Sequence, residues 1–178
     1  MRHFVWLPFA ILSITLISCT EPEKKEETTA DIFQSYRISG EGNVFSVPPG
    51  LASIFLDDDK AGNSELKVLL KDINHLSFLV IPHNYSIKEN NYYSEVSQRF
   101  NDIKFHDLAM INSGNEIVTV KISQGNSGDK IDELIIIVSN YQSLFCISFK
   151  GDISLNSIAN LTKPENMASI SNLNRFNR

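Results

Sequence analysis

Apolar positions fall into runs of different texture along the chain, and each texture predicts an element. Residues 76–81 form an apolar run, interrupted only by Ser77 and ended by Pro82. Such a run suits a central strand covered on both faces. Residues 131–138 form a second strongly apolar strand. Val118, Val120 and Ile122 alternate with Thr119, Lys121 and Ser123, and Phe145, Ile147 and Phe149 share one strand face. Residues 43–47 alternate and end at Pro48-Pro49-Gly50, and residues 108–111 add another strand. Helical spacing appears in Leu66, Leu69, Leu70 and Ile73, with Ser64 as cap. It recurs in Tyr93, Val96, Phe100 and Ile103, with Glu95, Gln98, Arg99 and Asp102 on the outer side, and in Leu155, Ile158, Ala159 and Leu161. Residues 51–56 fit helix or strand; Pro49 in a first turn favours helix.

Turn signals separate the late strands: Ser113-Gly114-Asn115, residues 124–129 and Asn140-Tyr141-Gln142. Gly151-Asp152 is expected to end this meander and Lys163-Pro164 to stop the last helix. Short connections make the four late strands antiparallel. The expected fold is α+β, a two-layer sandwich of a mostly antiparallel sheet with helices packed on one face. The expected organisation is a lipoprotein signal peptide over residues 1–18, an acidic disordered tether over 19–35, a single α+β domain over 36–163 and a polar C-terminal tail over 164–178. The tether's charged stretch, Glu21 through Glu27, lacks apolar periodicity. About fifteen extended residues would span on the order of 50 Å.

The first apolar run changes the picture most. Residues 4–17 are fourteen uncharged positions behind Met1-Arg2-His3. They suit the core of a secretory signal and are too few for a membrane span, which takes about 20 residues. The run ends in Leu16-Ile17-Ser18-Cys19, which resembles the lipobox of bacterial lipoproteins. That resemblance implies acylation of Cys19 and cleavage just before it. Two or more acyl chains make attachment to a leaflet stable. Thr20, where the enteric sorting rule places Asp for retention, implies passage to the outer membrane, on its periplasmic face or at the cell surface.

Without residues 1–18 the chain holds 15 Lys and Arg against 21 Asp and Glu, a net charge of −6. No basic patch is present, so nucleic acid is not an expected partner. With Cys19 acylated, Cys146 has no cysteine to pair with, and its strand context marks it as a buried, inert thiol.

Candidate chemistry is sparse. Asp57, Asp58 and Asp59 lack the alternate spacing, glycine turn and distal carboxylate of a calcium loop. His75, His83 and His106 fit no zinc spacing. Gly125-Asn126-Ser127-Gly128 lacks the Gly-Lys-Ser/Thr ending of a phosphate loop, and no Gly-x-Ser-x-Gly elbow occurs. No catalytic residue, metal site or cofactor is therefore expected. Tyr85, Tyr92 and Tyr93 surround the loop before the second amphipathic helix and are the candidate partner contacts.

Three segments together resemble a family of small Gram-negative bacterial lipoproteins defined as a domain of unknown function. They are Val47-Pro48-Pro49-Gly50-Leu51, the helix from Glu65 to Ile73 with the strand after it, and Phe149-Lys150-Gly151-Asp152-Ile153-Ser154-Leu155. The resemblance implies an exported, membrane-anchored α+β domain without known enzymatic activity, some relatives lying near extracytoplasmic sigma-factor systems. The expected function is a lipid-anchored, non-enzymatic binding or regulatory protein of the envelope with a protein partner. The alternative is an envelope hydrolase with a scattered serine, histidine and carboxylate site.

Overall fold

A capping box opens the fold earlier than the charge pattern suggests. The computed structural model describes residues 26–54, 56, 59, 62–83, 91–125 and 130–163. Its first element is helix α1 (Thr29–Ser39). The Thr28 hydroxyl accepts from the Asp31 amide at 3.3 Å, and the Asp31 carboxylate accepts from the Thr28 amide at 3.0 Å. Ile32, Phe33 and Tyr36 bury one side of the helix, and Gly40 ends it at φ 77°. The expected tether over residues 19–35 is thus wrong from Thr29 onward, and the domain begins before residue 36. Three apolar residues behind a good cap outweigh the acidic neighbourhood. Residues 19–25 of that tether, the signal over 1–18 and the tail over 164–178 lie outside the described residues.

The remaining elements are β1 (Asn43–Ser46), α2 (Pro49–Ile54), α3 (Asn63–Lys71), β2 (Ile73–Pro82), α4 (Tyr92–Asp102), β3 (His106–Asn112), β4 (Glu116–Gln124), β5 (Lys130–Asn140), β6 (Ser143–Ser154) and α5 (Leu155–Leu161). Residues 49–54 are helical, as Pro49 favoured. Helix α3 starts from Gly62 at φ 82° with no side-chain cap; Ser64 lies within the first turn and its hydroxyl bonds Glu65 instead.

Six strands form one antiparallel sheet in the order β1-β2-β6-β5-β4-β3. The expected late meander is present as β3-β4-β5-β6. β6 then inserts beside β2, which places the longest apolar strands at the centre. β6 does not stop at Gly151-Asp152. It continues to Ser154 because β5, after a register shift at Ile131/Glu133, pairs with it as far as Lys130↔Ser154, whereas β2 pairs with it only up to Gly151. Gly151 makes this possible: the Asp152 amide donates to the Asp72 carbonyl at 3.0 Å, and the backbones approach too closely for a side chain between them.

The fold is mixed α+β, but the helices are not gathered on one face. Leu76, Phe78 and Val80 of β2 share a core with Phe145, Ile147 and Phe149 of β6, under Leu66 and Leu69 of α3 and Ile158 and Leu161 of α5. The alternate residues Leu79 and Ile81, with Leu144 and Cys146 of β6, share a second core with Ile32 and Phe33 of α1 and Val96 and Phe100 of α4. Helices α2, α3 and α5 cover one face and α1 and α4 the other. The reason lies in β2, β5 and β6, which are apolar at successive positions and need cover on both sides.

Cys146 is fully buried, and burial pushes its thiol well above the ordinary 9.0. An unfolded thiol ionises near that value while the buried one stays protonated. Its stabilising share is therefore complete below about pH 9 and is lost as pH rises further, at up to about 1.4 kcal/mol per pH unit. Urea-unfolding midpoints should fall between about pH 9 and pH 10, and Cys146→Ala should flatten that slope. A slope identical in the two proteins would contradict it.

Candidate functional site

Helix α4 carries two of the three tyrosines named as candidate contacts. Its start is set by Asn91, whose side chain accepts from the Ser94 amide at 3.1 Å. This cap places Tyr92 and Tyr93 in the first turn, half-buried against the second core. The Tyr93 hydroxyl lies 2.8 Å from the Thr119 hydroxyl, and Thr119 is fully buried on β4. The Tyr92 ring stacks on His83, with centroids 6.3 Å apart and planes inclined by 15°. Both tyrosines are thus tied to the fold, and each keeps only part of its surface for a partner. Tyr85 and Cys19 lie outside the described residues.

Beneath α4 runs a polar layer that the strand pattern did not reveal. The Lys121 ammonium is fully buried, and it donates to Asp107 Oδ1 at 2.6 Å and Asn101 Oδ1 at 2.7 Å. Asp107 retains 51% side-chain exposure, so the pair has one dry end and one wet end. On the same sheet face, the Ser148 hydroxyl donates to Glu133 Oε1 at 2.6 Å. Thr119 and Lys121 alternate with core residues and so read as solvent-facing. A helix laid over that face buries them instead.

Arg99 is the hub between α4 and α1. It was expected on the outer side of α4, yet it donates to the Ser35 hydroxyl at 2.6 Å, pairs with Glu27 and lies 5.3 Å over the Tyr36 ring. Burial opposes the guanidinium's charge, but bonding to Glu27 and Tyr36 more than offsets it and raises its pKa. Tyr36 donates to Glu95 Oε1 at 2.7 Å, and its hydroxyl is raised above its ordinary 10.0, first by burial and then by that bond. At the far end of α4, Lys104 pairs with Glu26 at 3.0 Å. Lys104 has φ 71°, the left-handed position that glycine or asparagine usually takes at a helix end. The Phe105 amide closes on the Phe100 carbonyl at 3.0 Å, and their rings meet edge to face. Glu27 therefore meets a cation on α4 and Glu26 one in the turn just after it. The signal that could have found this clasp was the Thr28–Asp31 capping box ahead of Ile32 and Phe33.

The histidines are placed separately. His75 is exposed on β2, His83 follows that strand, and His106 is exposed at the start of β3. Asp107 turns to Lys121, away from the His106 side, as adjacent strand residues do. Among the described residues no three His, Cys, Asp or Glu side chains cluster as a metal site, and no helix is long and apolar enough to cross a membrane. Asp59 lies in a turn and is exposed, while Asp57 and Asp58 lie outside the described residues.

The sequence model of the domain of unknown function DUF4252 matches residues 42–161, about two-thirds of the chain. The chain belongs to the DUF4252 family. No curated protein and no solved structure matches it. The DUF4252 match runs from just before β1 to the end of α5, so it contains the whole sheet and the buried Lys121 pair. It also contains α4 with Arg99 and Lys104. Helix α1 and the acidic residues that engage them precede the DUF4252 span.

Proposed function

We propose that this DUF4252 protein is an exported lipoprotein of the Gram-negative envelope, held to the outer membrane through acyl groups on Cys19. Its folded domain acts by binding an envelope protein partner and not by catalysis. The geometry that supports this reading best is the clasp of Glu27 on Arg99 of α4 and of Glu26 on Lys104 in the turn after it. The chain is engaged by the domain seven residues after Cys19, which limits the link to about 25 Å when fully extended. Such a link holds the α1/α4 end near the bilayer and leaves the α2/α3/α5 face turned away from it. A domain kept close and oriented suits a receptor or regulator that meets its partner at the membrane.

The test is a Cys19→Ala substitution in the full chain, followed by fractionation and metabolic labelling with a fatty-acid analogue. Wild type should label and sediment with outer membrane. The variant should lose the label and appear in the soluble envelope fraction. Retention of the variant in the membrane would sink the anchor.

A further inference from the structure

The open sheet has two edges, β1 and β3, and they differ. β1 is four residues long, packs beside α1 and gives way to Pro48-Pro49. β3 is seven residues long, and among the described residues no strand pairs with its outer side. Natural sheets commonly guard such an edge with charge, proline or a bulge. β3 is guarded at one end, where Leu108 is an extra residue between Asp107 and Ala109, which pair with Lys121 and Val120 of β4. Past that bulge the pairing with β4 is regular from Ala109 to Asn112, a stretch without charge or proline. Ala109 and Ile111 pack against the first core, while Met110, on the opposite face, is 58% exposed.

We propose that β3 pairs antiparallel with β3 of a second copy, about a twofold axis through Met110. A twofold interface uses one patch twice, so the strand must complement itself. Residues opposite one another in a sheet share a face. With the axis at Met110, Met110 meets Met110, Ala109 meets Ile111 and Leu108 meets Asn112. Each apolar residue of 109–111 then faces an apolar residue of the copy, and the first core continues between copies through Ala109 and Ile111. Moving the axis by one residue sets Ile111 opposite Asp107, or Ala109 opposite Ser113. This self-match singles out a second copy as the occupant. The outward N–H and C=O groups of both strands supply the main-chain bonds.

Cysteine linking on the full chain tests the register. Met110→Cys should give a disulfide between copies on mild oxidation, because opposed Cα atoms lie about 4.5–5.5 Å apart. Asn112→Cys is the control: its counterpart stands four residues along the strand, roughly 13 Å away, beyond the ~7 Å that a disulfide spans. Both positions are exposed, and Cys19 and Cys146 are common to the two variants. Met110→Cys should yield roughly ten times as much linked dimer as Asn112→Cys. In parallel, Met110→Lys sets like charges face to face at the axis. It should weaken self-association by roughly tenfold or more, read by sedimentation of the full chain in mild detergent. Equal linking at 110 and 112, no linking at 110, or unchanged sedimentation of Met110→Lys each overturns the proposal. A disulfide from Met110→Cys to a different protein also overturns it, since the edge then receives that protein's strand.

Discussion

Gly151→Ala is expected to destabilise the domain by about 3 kcal/mol or more, measured as a drop in urea-unfolding midpoint at unchanged slope. An added Cβ would overlap the Asp72 carbonyl oxygen and stand 2.8 Å from the Ile73 Cα. Both are backbone atoms, so no side chain can swing aside. The strain would reach the end of α3, the first residue of β2 and the last stretch of β6 at once. The amide of the next residue, Asp152, bonds that same carbonyl. By contrast, Gly50→Ala meets nothing within 4 Å and adds no clash. Equal stability of the two variants would show that the β2–β6 approach is looser than described.

The Lys121 pair should respond unequally to removal of its two partners. Asp107→Ala leaves a fully buried ammonium with Asn101 as its remaining partner, at a cost of about 2–3 kcal/mol. That is set below the roughly 3–5 kcal/mol of a fully buried pair because Asp107 is half-exposed and admits water. Lys121→Met removes the buried charge and keeps an apolar stem of similar volume. The aspartate left behind is solvated, so this variant should cost about 1 kcal/mol or less. Thermal or urea unfolding of both variants checks the order. A larger loss for Lys121→Met would mean that the ammonium itself holds the β3–β4 edge and α4 together.

The element types were largely legible because they depend on local spacing. Leu66, Leu69 and Leu70 all point into one core, as their three- and four-residue intervals require. Val118, Val120 and Ile122 likewise share a core with Phe145, Ile147 and Phe149. The layer count was misjudged although its clue stood in the same pattern. A strand such as residues 76–81, apolar at every position but Ser77, already calls for helices on both sides. The tyrosines were found as residues at the start of a helix, but their commitment to Thr119 and His83 depends on partners 26 and 9 positions away in the chain. Spacing carries no information about such pairs.

Taken alone, the sequence determined where the strands and every helix but α1 form, that 76–81 is a central strand, that Cys146 is interior and that the late strands make a meander. It also carries the whole case for acylation at Cys19. Only the tertiary structure decided that β6 lies between β2 and β5, that α1 joins α4 over the second face, and that Lys121 and Arg99 are internal parts of the fold. The physical reason is one of range. Periodicity and capping report which side of an element is apolar, and they act over a few residues. Which neighbour covers that side is settled by pairing between distant strands, and a polar residue becomes buried when such pairing brings a helix over it.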